Sequence, residues 1–154
     1  MRKTPILLWF RNDLRVTDNP ALSNAYKLSL EKQTSVICIY IHEEFNNYPS
    51  NYGSAAKWWL NQSLSNLESD LSELNLNKSY KVLNIFKGNS EKIIAKLCKT
   101  FEIKKVFCNR RYEFENINIE KKLYKTLAKI GTILETSNGS TLIEPWNIKS
   151  KKSL

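Results

Sequence analysis

The chain is predicted to be an α/β domain in which helices cover both faces of a doubly wound, five-stranded parallel sheet. Strand-like and helix-like segments alternate along its 154 residues, and single helices between strands are typical of parallel sheets with right-handed crossovers. The first strand-like segment, Ile6–Phe10, is apolar throughout, which indicates a strand buried on both faces. A hydrophobic content of 42% is typical of one globular domain of this length.

The first half of the chain is predicted to form two strands and two helices. Asn19 (or Asp18) is a good N-cap, and Pro20 suits the first helical turn because an N–H at that position has no helical partner. Along the second helix, leucines recur every three or four residues and form an apolar stripe for packing on the sheet. The stripe contains Leu60, Leu64, Leu67, Leu71 and Leu74, and the segments are strand Ile6–Phe10, helix Pro20–Leu30, strand Ser35–Ile41 and helix Ser54–Leu74.

The second half is predicted to continue the same alternation, without an internal repeat. Gly88 and Gly131 occupy turn positions before the third helix and after the fourth. The helices again carry apolar stripes, one through Ile94 and Cys98 and one through Leu123 and Leu127. The predicted segments are strand Tyr80–Phe86, helix Ser90–Phe101, strand Lys104–Cys108, helix Glu115–Ile130 and strand Thr132–Glu135.

Composition limits the classes of function. Cys38, Cys98 and Cys108 are widely separated and lack a C-x-x-C spacing, so we expect buried reduced thiols rather than a disulfide or a metal site. A histidine-based zinc site or catalytic triad would depend on His42 alone. The net charge of +9 is compatible with an acidic partner such as nucleic acid, and equally with a Lys-, Asn- and Ile-rich composition that carries no function.

Several motifs are absent from the sequence. It contains no G-x-G-x-x-G, no Walker loop and no G-x-S-x-G elbow, and it has only four glycines. No apolar run approaches the roughly 20 residues that cross a bilayer. The first apolar run also ends too early, at Arg11, for a signal peptide. We therefore predict a cytoplasmic protein without membrane contact.

Four segments resemble the DNA photolyase and cryptochrome family. Residues 9–15, Trp-Phe-Arg-Asn-Asp-Leu-Arg, and the Asp-Asn-Pro-Ala-Leu that follows resemble its opening. Gly53–Leu60 resembles its second long helix, Asn109–Glu113 its fourth strand-to-helix turn, and Gly139–Trp146 its exit from the first domain. The resemblance implies a Rossmann-like sheet of order 3-2-1-4-5 formed by residues 1–146, with residues 147–154 beginning a linker or frayed tail.

The implied order predicts a ligand site. Ligands bind beyond the strand ends where the strand order reverses, here between the first and fourth strands. The loops after these strands would flank one crevice, which the polar segment His42–Tyr52 is placed to cover. Alternatively, Arg11, Asp13 and Arg15 form an ion-pair network that fixes the first loop. The candidate binding residues are Arg11, Asn12, Asp13, Asn109, Tyr112, Glu113, Glu115 and Asn116.

The resemblance implies an antenna pigment in this crevice, often methenyltetrahydrofolate and sometimes a deazaflavin or a flavin. In the folate binders of the family, an Asn-Glu pair follows the Tyr-Glu of this turn by one residue. Here Tyr112-Glu113 is followed by Phe114 and then by Glu115-Asn116, in reversed order. A carboxylate for the pterin amino group and a neighbouring amide are still present. Glu115 is equally explained as a favourable charge at a helix N-terminus.

The function implied is that of the light-harvesting domain of a DNA photolyase. In the family, the pigment passes excitation to reduced FAD on a helical domain, which binds DNA and splits pyrimidine dimers. No segment of this chain resembles that helical domain. We therefore expect the chain alone to be inactive and to self-associate or bind a flavin-bearing partner. A cryptochrome-type blue-light sensor and a stand-alone nucleotide-binding module are the alternatives. Core or interface packing is expected for Trp9, Trp58, Trp59 and Trp146.

Overall fold

The computed structural model describes residues 3–43, 53–74 and 81–148. Within these residues, five strands alternate with four α-helices, and a short 3-10 helix (Pro145–Asn147) follows the last strand. The strands are β1 (Ile6–Phe10), β2 (Val36–Glu43), β3 (Asn84–Gly88), β4 (Lys105–Asn109) and β5 (Ile133–Ser137). The helices are α1 (Pro20–Lys32), α2 (Ser54–Glu73), α3 (Ser90–Thr100) and α4 (Phe114–Lys129).

The strands form one parallel sheet in the order β3-β2-β1-β4-β5. The central strand is β1, in which Leu8 pairs with Cys38 of β2 on one side and with Phe107 of β4 on the other. The predicted fold class and strand order are therefore confirmed. Because the order reverses between β1 and β4, the loops after these two strands border the place where such sheets hold ligands.

Alternating side chains of the sheet pack into layers on its two faces. On one face, Leu8 belongs to a core cluster with Leu67 of α2. On the opposite face, Trp9 belongs to a cluster with Ile94 of α3 and Leu123 of α4. Helices thus cover both faces, which explains why β1 lacks the polar alternation of a half-exposed strand.

The predicted start of α1 is confirmed, and Gly131 lies in a turn as predicted, whereas Gly88 is the last residue of β3 rather than a turn residue. The Asn19 side chain accepts a hydrogen bond from a backbone N–H of the first turn at 3.1 Å, and Pro20 begins α1. Asn19 is therefore the cap, while Asp18 precedes it with a φ of 48°. Gly88 and Gly131 have φ values of 130° and 69°, where a side chain would strain the backbone.

The third strand differs most from its prediction. It was expected over Tyr80–Phe86 but occupies Asn84–Gly88, and Tyr80 lies outside the described residues. Leu83 is fully buried in the core, yet it stands in a bend before the strand. Partly buried and exposed residues alternate along β3, which is an edge strand. The prediction followed the apolar residues, and these indicate contact with the core rather than strand pairing. The pairing of β3 with β2 continues past them through the polar residues that follow.

The core packing predicted for the four tryptophans is found for only one of them. Trp9 is buried, but Trp58, Trp59 and Trp146 are 55%, 65% and 60% exposed, so core packing is wrong for these three. Trp58 and Trp59 stand on the side of α2 opposite its buried leucines. Their packing at a domain interface stays a prediction.

The cysteines are buried free thiols, as predicted, and burial raises the pKa of each to about 12.

Among the helices that the structure describes, none combines the length and apolar character needed to cross a membrane. The covering loop was predicted over His42–Tyr52, but His42 and Glu43 belong to β2, because their pairing with β3 extends the strand. Residues 44–52 of that loop and the tail after Ile148 lie outside the described residues.

Candidate functional site

The loops that follow β1, β4 and β5 surround an open cleft of about 510 Å³ at the carboxyl edge of the sheet, here called the outer cleft. Its position is the place where the strand order reverses, and its volume lies in the range of small-molecule sites, roughly 300–1,000 Å³. The lining residues are Asn12, Asp13, Arg15, Asn109, Arg110, Arg111, Tyr112, Glu113, Gly139 and Ser140.

Asn109, the last residue of β4, ties the first loop to the fourth strand. Its side-chain nitrogen donates to the Asp13 carboxylate at 2.6 Å and to the Asn19 side-chain oxygen at 2.8 Å. Its side-chain oxygen accepts from the backbone N–H of Ala21 at 3.1 Å. Since Asn109 is only 3% exposed, this network fixes the wall of the outer cleft from inside the protein.

Arg11 turns away from the outer cleft and toward α4. Its guanidinium pairs with the Glu120 carboxylate and donates to the Asn116 side-chain oxygen at 2.8 Å. It also lies over the Trp9 ring, 4.5 Å from the ring centroid. An arginine side chain that is 3% exposed requires a nearby anion, and Glu120 supplies it from a distant part of the sequence.

The predicted ion-pair network of Arg11, Asp13 and Arg15 is therefore wrong. One Asp13 carboxylate oxygen accepts from the backbone N–H of Arg11 at 3.0 Å, and the other accepts from asparagine side chains. Arg15 donates to the backbone oxygens of Asp18 and Gly139 at 3.0 and 2.8 Å. Backbone and amide groups, rather than mutual ion pairs, fix the first loop.

The segment after β5 is anchored on the turn after β4. Arg110 pairs with the Glu144 carboxylate, and its guanidinium lies 5.3 Å from the Trp146 ring centroid. The Tyr112 hydroxyl donates to Glu144 at 2.9 Å, and its ring centroid is 6.0 Å from that of Trp146. These contacts hold Tyr112 in position beside the cleft.

Arg111 and Glu113 form an ion pair at the mouth of the outer cleft, with nitrogen-to-oxygen distances of 3.1 and 2.5 Å. The hydrogen bond from Arg111 is the main cause that lowers the pKa of Glu113 to about 2, although partial burial opposes it. The Asn116 side-chain nitrogen also donates to Glu113 at 3.2 Å. Glu113 is thus a stable carboxylate at neutral pH.

A smaller cavity of about 110 Å³, here called the inner pocket, lies between the ends of β1 and β2 and the start of α4. It shares Asn12 and Arg111 with the outer cleft, so the two cavities meet at these side chains. Among the described residues, Trp9 Nε1 and Glu43 Oε1 are buried without a hydrogen-bond partner. The inner pocket is lined by Trp9, Arg11, Asn12, Tyr40, Ile41, His42, Glu43, Arg111 and Asn116.

The structure brings most of the predicted site residues to these two cavities. The outer cleft contains Asn12, Asp13, Asn109, Tyr112 and Glu113. The inner pocket contains Arg11, Asn12 and Asn116. Glu115 lines neither cavity and lies in the first turn of α4, where its charge suits the helix dipole.

Sequence reasoning missed several lining residues. Arg110 and Arg111 stand inside the quoted Asn109–Glu113 motif, and Gly139 and Ser140 begin the exit segment, so position in these motifs was an available signal. Glu43 was expected only as part of the covering loop His42–Tyr52, because the second strand was predicted to end before it.

Comparison with known proteins identifies the family of this chain. The model of the DNA photolyase family matches residues 6–153. The chain is 32% identical over 151 residues to deoxyribodipyrimidine photo-lyase of Agrobacterium fabrum and 31% identical over 153 residues to cryptochrome-2 of Arabidopsis thaliana. These alignments cover 98% and 95% of this chain, but only 29% and 22% of those proteins. The chain thus spans less than a third of the length of these curated relatives.

Solved structures agree with the sequence comparison. A bacterial class III photolyase from Agrobacterium tumefaciens matches with a TM-score of 0.80 and 32% identity, over 98% of this chain and 29% of that one. An archaeal photolyase from Sulfolobus tokodaii shares the fold with a TM-score of 0.71 and 24% identity, over 87% of this chain and 29% of that one. Fold and sequence together define an α/β domain of the photolyase and cryptochrome class. The chain belongs to the DNA photolyase family and has the fold of its N-terminal domain.

Proposed function

We propose that the outer cleft binds an antenna chromophore and that this chain is the light-harvesting domain of a DNA photolyase. The observation that carries the proposal is the convergence of the loops after β1 and β4 on one cleft of about 510 Å³ at the switch point of the sheet. When bound, such a pigment absorbs near-ultraviolet or blue light and passes the excitation to a reduced FAD on a separate helical domain.

The residues of the outer cleft suit a flat, partly anionic ligand. Tyr112 is held by Glu144 and presents an aromatic ring at the cleft wall. Arg15 supplies positive charge, because its ion pair is looser than that of Arg111. The nitrogen-to-oxygen distance is 3.9 Å between Arg15 and Asp18 and 2.5 Å between Arg111 and Glu113. We propose that Arg15 attracts the carboxylate of a folate tail or the phosphate of a flavin nucleotide.

The choice of pigment remains among methenyltetrahydrofolate, a deazaflavin and a flavin. Glu115 lies outside both cavities whereas Asn116 lines the inner pocket, so only the amide of the Glu115-Asn116 pair still supports folate locally. The Sulfolobus tokodaii photolyase is described with two FAD molecules and the implication of a novel light-harvesting cofactor, which supports including FAD among the candidates. Arg15 suits a folate as well as a flavin nucleotide, because the first carries a carboxylate and the second a phosphate.

The wider reaction requires a partner. We propose that a helical FAD-binding domain, on a continuation of the chain or on a separate chain, binds DNA and splits pyrimidine dimers. Without that partner we expect self-association through exposed apolar side chains such as Trp58 and Trp59. A cryptochrome-type blue-light sensor is the second candidate, supported by the identity with cryptochrome-2 of Arabidopsis thaliana. Both candidates use the same antenna site.

Titration of the 154-residue chain with methenyltetrahydrofolate, FAD and a 5-deazaflavin tests the proposal. We expect saturable binding of one pigment, followed by its absorbance and fluorescence. In the variant Ser140→Trp, a large side chain fills the outer cleft, and binding is expected to weaken at least about ten-fold. The matched control Ser65→Trp changes an exposed position of α2 and should bind like the unmodified chain.

The outcomes separate the alternatives. Failure of all three pigments to bind the unmodified chain would contradict the proposal. Equal binding by the Ser140→Trp and Ser65→Trp variants would show that the pigment lies elsewhere. Glu115→Ala in the same titration tests the residue that the sequence favoured, and unchanged affinity is expected because Glu115 lines neither cavity.

A further inference from the structure

We propose that the inner pocket recognises the lactam edge of the chromophore ring, with the Trp9 indole N–H donating to a ring carbonyl and the Glu43 carboxylate accepting from the adjacent ring N–H. This inference rests on the proposed function, because it assigns a second contact to the pigment in the outer cleft. Trp9 opens the first sequence motif but was not among the candidate binding residues, and neither Trp9 nor Glu43 lines the outer cleft.

The primary observation is a pair of buried polar atoms without partners. Trp9 is 1% exposed, and its Nε1 has no hydrogen-bond partner among the described residues. The Oε1 atom of Glu43 is also buried without a hydrogen-bond partner among the described residues. Native proteins retain few such atoms because each loses its hydrogen bonds to water on burial. A donor and an acceptor left together in one pocket therefore indicate a ligand that supplies the complementary groups.

The sheet places these two groups on the same side. Trp9 pairs with Ile39 in the parallel ladder between β1 and β2, and side chains two residues apart project from the same face of a strand. Ile39, Ile41 and Glu43 therefore share one face of β2 with the neighbouring Trp9. Both Trp9 and Glu43 line the inner pocket, so their polar atoms can approach one ring edge.

The orientation of the indole is fixed before any ligand arrives. One face of the Trp9 ring is covered by the Arg11 guanidinium, 4.5 Å from the ring centroid. Arg11 is itself held by the Glu120 carboxylate and the Asn116 side chain. Because Arg11 cannot move without breaking these bonds, the direction of the Trp9 N–H is preorganised.

The size of the inner pocket limits what enters it. Its volume of about 110 Å³ is equivalent to only a few water molecules, at about 30 Å³ each in the liquid. It therefore holds the edge of one ring, while the remainder of the ligand extends past Asn12 and Arg111 into the outer cleft. A lactam presents a C=O beside an N–H on one edge, and flavins, deazaflavins and pterins all carry this group.

Methylation of the ring nitrogen provides a direct test. Riboflavin and N3-methylriboflavin are titrated into the unmodified chain and into the variants Glu43→Ala and Glu73→Ala. We expect the unmodified chain to bind riboflavin about ten-fold more tightly than its N3-methyl derivative, as for loss of one charge-assisted hydrogen bond. Glu43→Ala should bind the two alike, whereas Glu73→Ala, at an exposed position of α2, should retain the discrimination.

A pterin arm identifies the source of the lactam. Methenyltetrahydrofolate is titrated into the same proteins, and a loss of about ten-fold confined to Glu43→Ala supports recognition of the pterin edge. A loss confined to riboflavin supports recognition of a flavin. Circular dichroism checks that each variant is folded, and Trp9→Phe, which keeps an aromatic ring but removes the N–H, provides an independent variant.

The two proposals fail in different ways. Binding of a chromophore without N3 discrimination and without an effect of Glu43→Ala would overturn the lactam assignment and leave the outer cleft as the site. A crystal structure of the complex with only water between Trp9 Nε1 and Glu43 would also overturn it. Absence of binding by every chromophore would overturn the proposed function, and this inference with it.

Discussion

The two halves of the carboxyl edge differ in how completely their polar groups are partnered. Between β1, β4 and β5, Asn109 donates to Asp13 and Asn19 and accepts from the backbone of α1. Between β1 and β2, by contrast, Trp9 Nε1 and Glu43 Oε1 have no partner among the described residues. A saturated network is rigid and defines the shape of the outer cleft, whereas unpartnered groups remain available to recognise a ligand.

The difference also appears in packing. A Cβ atom placed on Gly139 would lie 2.6 Å from the side chain of Asn109, so the loop after β5 touches the network directly. Arg15 crosses the same gap to the Gly139 backbone oxygen. The β1–β2 half contains the inner pocket instead. The protein thus combines a closely packed half with one that retains space.

The largest effect on stability is expected at Glu120, whose carboxylate is the anionic partner of Arg11. Glu120→Ala leaves a guanidinium that is 3% exposed without its counter-charge, and we expect the free energy of unfolding to fall by about 3–5 kcal/mol. Urea unfolding at neutral pH measures the change. The control Glu135→Ala removes a 42% exposed carboxylate from Lys105 and should cost less than about 1 kcal/mol. Equal costs for the two variants would show that the Arg11 pair carries no special weight.

A pair of variants in the two halves sharpens the comparison. Asn109→Ala removes three hydrogen bonds and leaves the Asp13 carboxylate under-partnered, so we expect a loss of about 2–3 kcal/mol of unfolding free energy. Glu43→Ala removes a carboxylate oxygen that has no hydrogen-bond partner in the described part of the chain, so we expect a change within about 0.5 kcal/mol, or a gain. The exposed Asn61→Ala in α2 controls for the loss of an asparagine. Similar losses for Asn109→Ala and Glu43→Ala would remove the distinction between the two halves.

The fold was largely predictable because its determinants are local. The apolar run of β1, the Asn19 cap and Pro20 lie within one short stretch, and each acts through its own neighbours. Resemblance to a family, rather than periodicity, supplied the strand order. The third strand was misplaced because an edge strand buries only part of its residues, and the fully buried Leu83 stands outside it.

The candidate site was predictable only where motif residues themselves line it. Asn109 and Tyr112 belong to the motif after β4 and do line the outer cleft. The partnership of Arg11 with Glu120 joins positions 109 residues apart, which no local pattern encodes. Glu43 was predicted as part of a covering loop rather than as a strand residue, because polarity at the end of β2 resembled a loop, although the ladder with β3 continues to that residue.

Among the ion pairs considered for their stability, the smallest effect is expected at the Arg111–Glu113 pair, beside the side chains shared by the two cavities. The hydrogen bond from Arg111 lowers the pKa of Glu113 from 4.5 to about 2 in the folded protein. A carboxyl whose pKa is lower in the folded state stabilises that state above pH 4.5 and loses this contribution as the pH falls toward 2. Because the Glu113 side chain is 58% exposed, solvent screening limits the contribution to less than about 1 kcal/mol.

NMR titration of the Glu113 carboxyl measures this contribution directly, since urea unfolding alone would not resolve so small a change. In the variant Arg111→Met we expect the pKa of Glu113 to rise from about 2 toward 4.5, because the main hydrogen bond to the carboxylate is lost. Lys121→Met removes a positive charge from α4 outside this pair and should leave the titration unchanged. A pKa of Glu113 that stays near 2 in Arg111→Met would instead assign the shift to Asn116 and to the backbone, whose hydrogen bonds also lower it. The mouth of the outer cleft would then be held by the start of α4 rather than by an ion pair that solvent can separate.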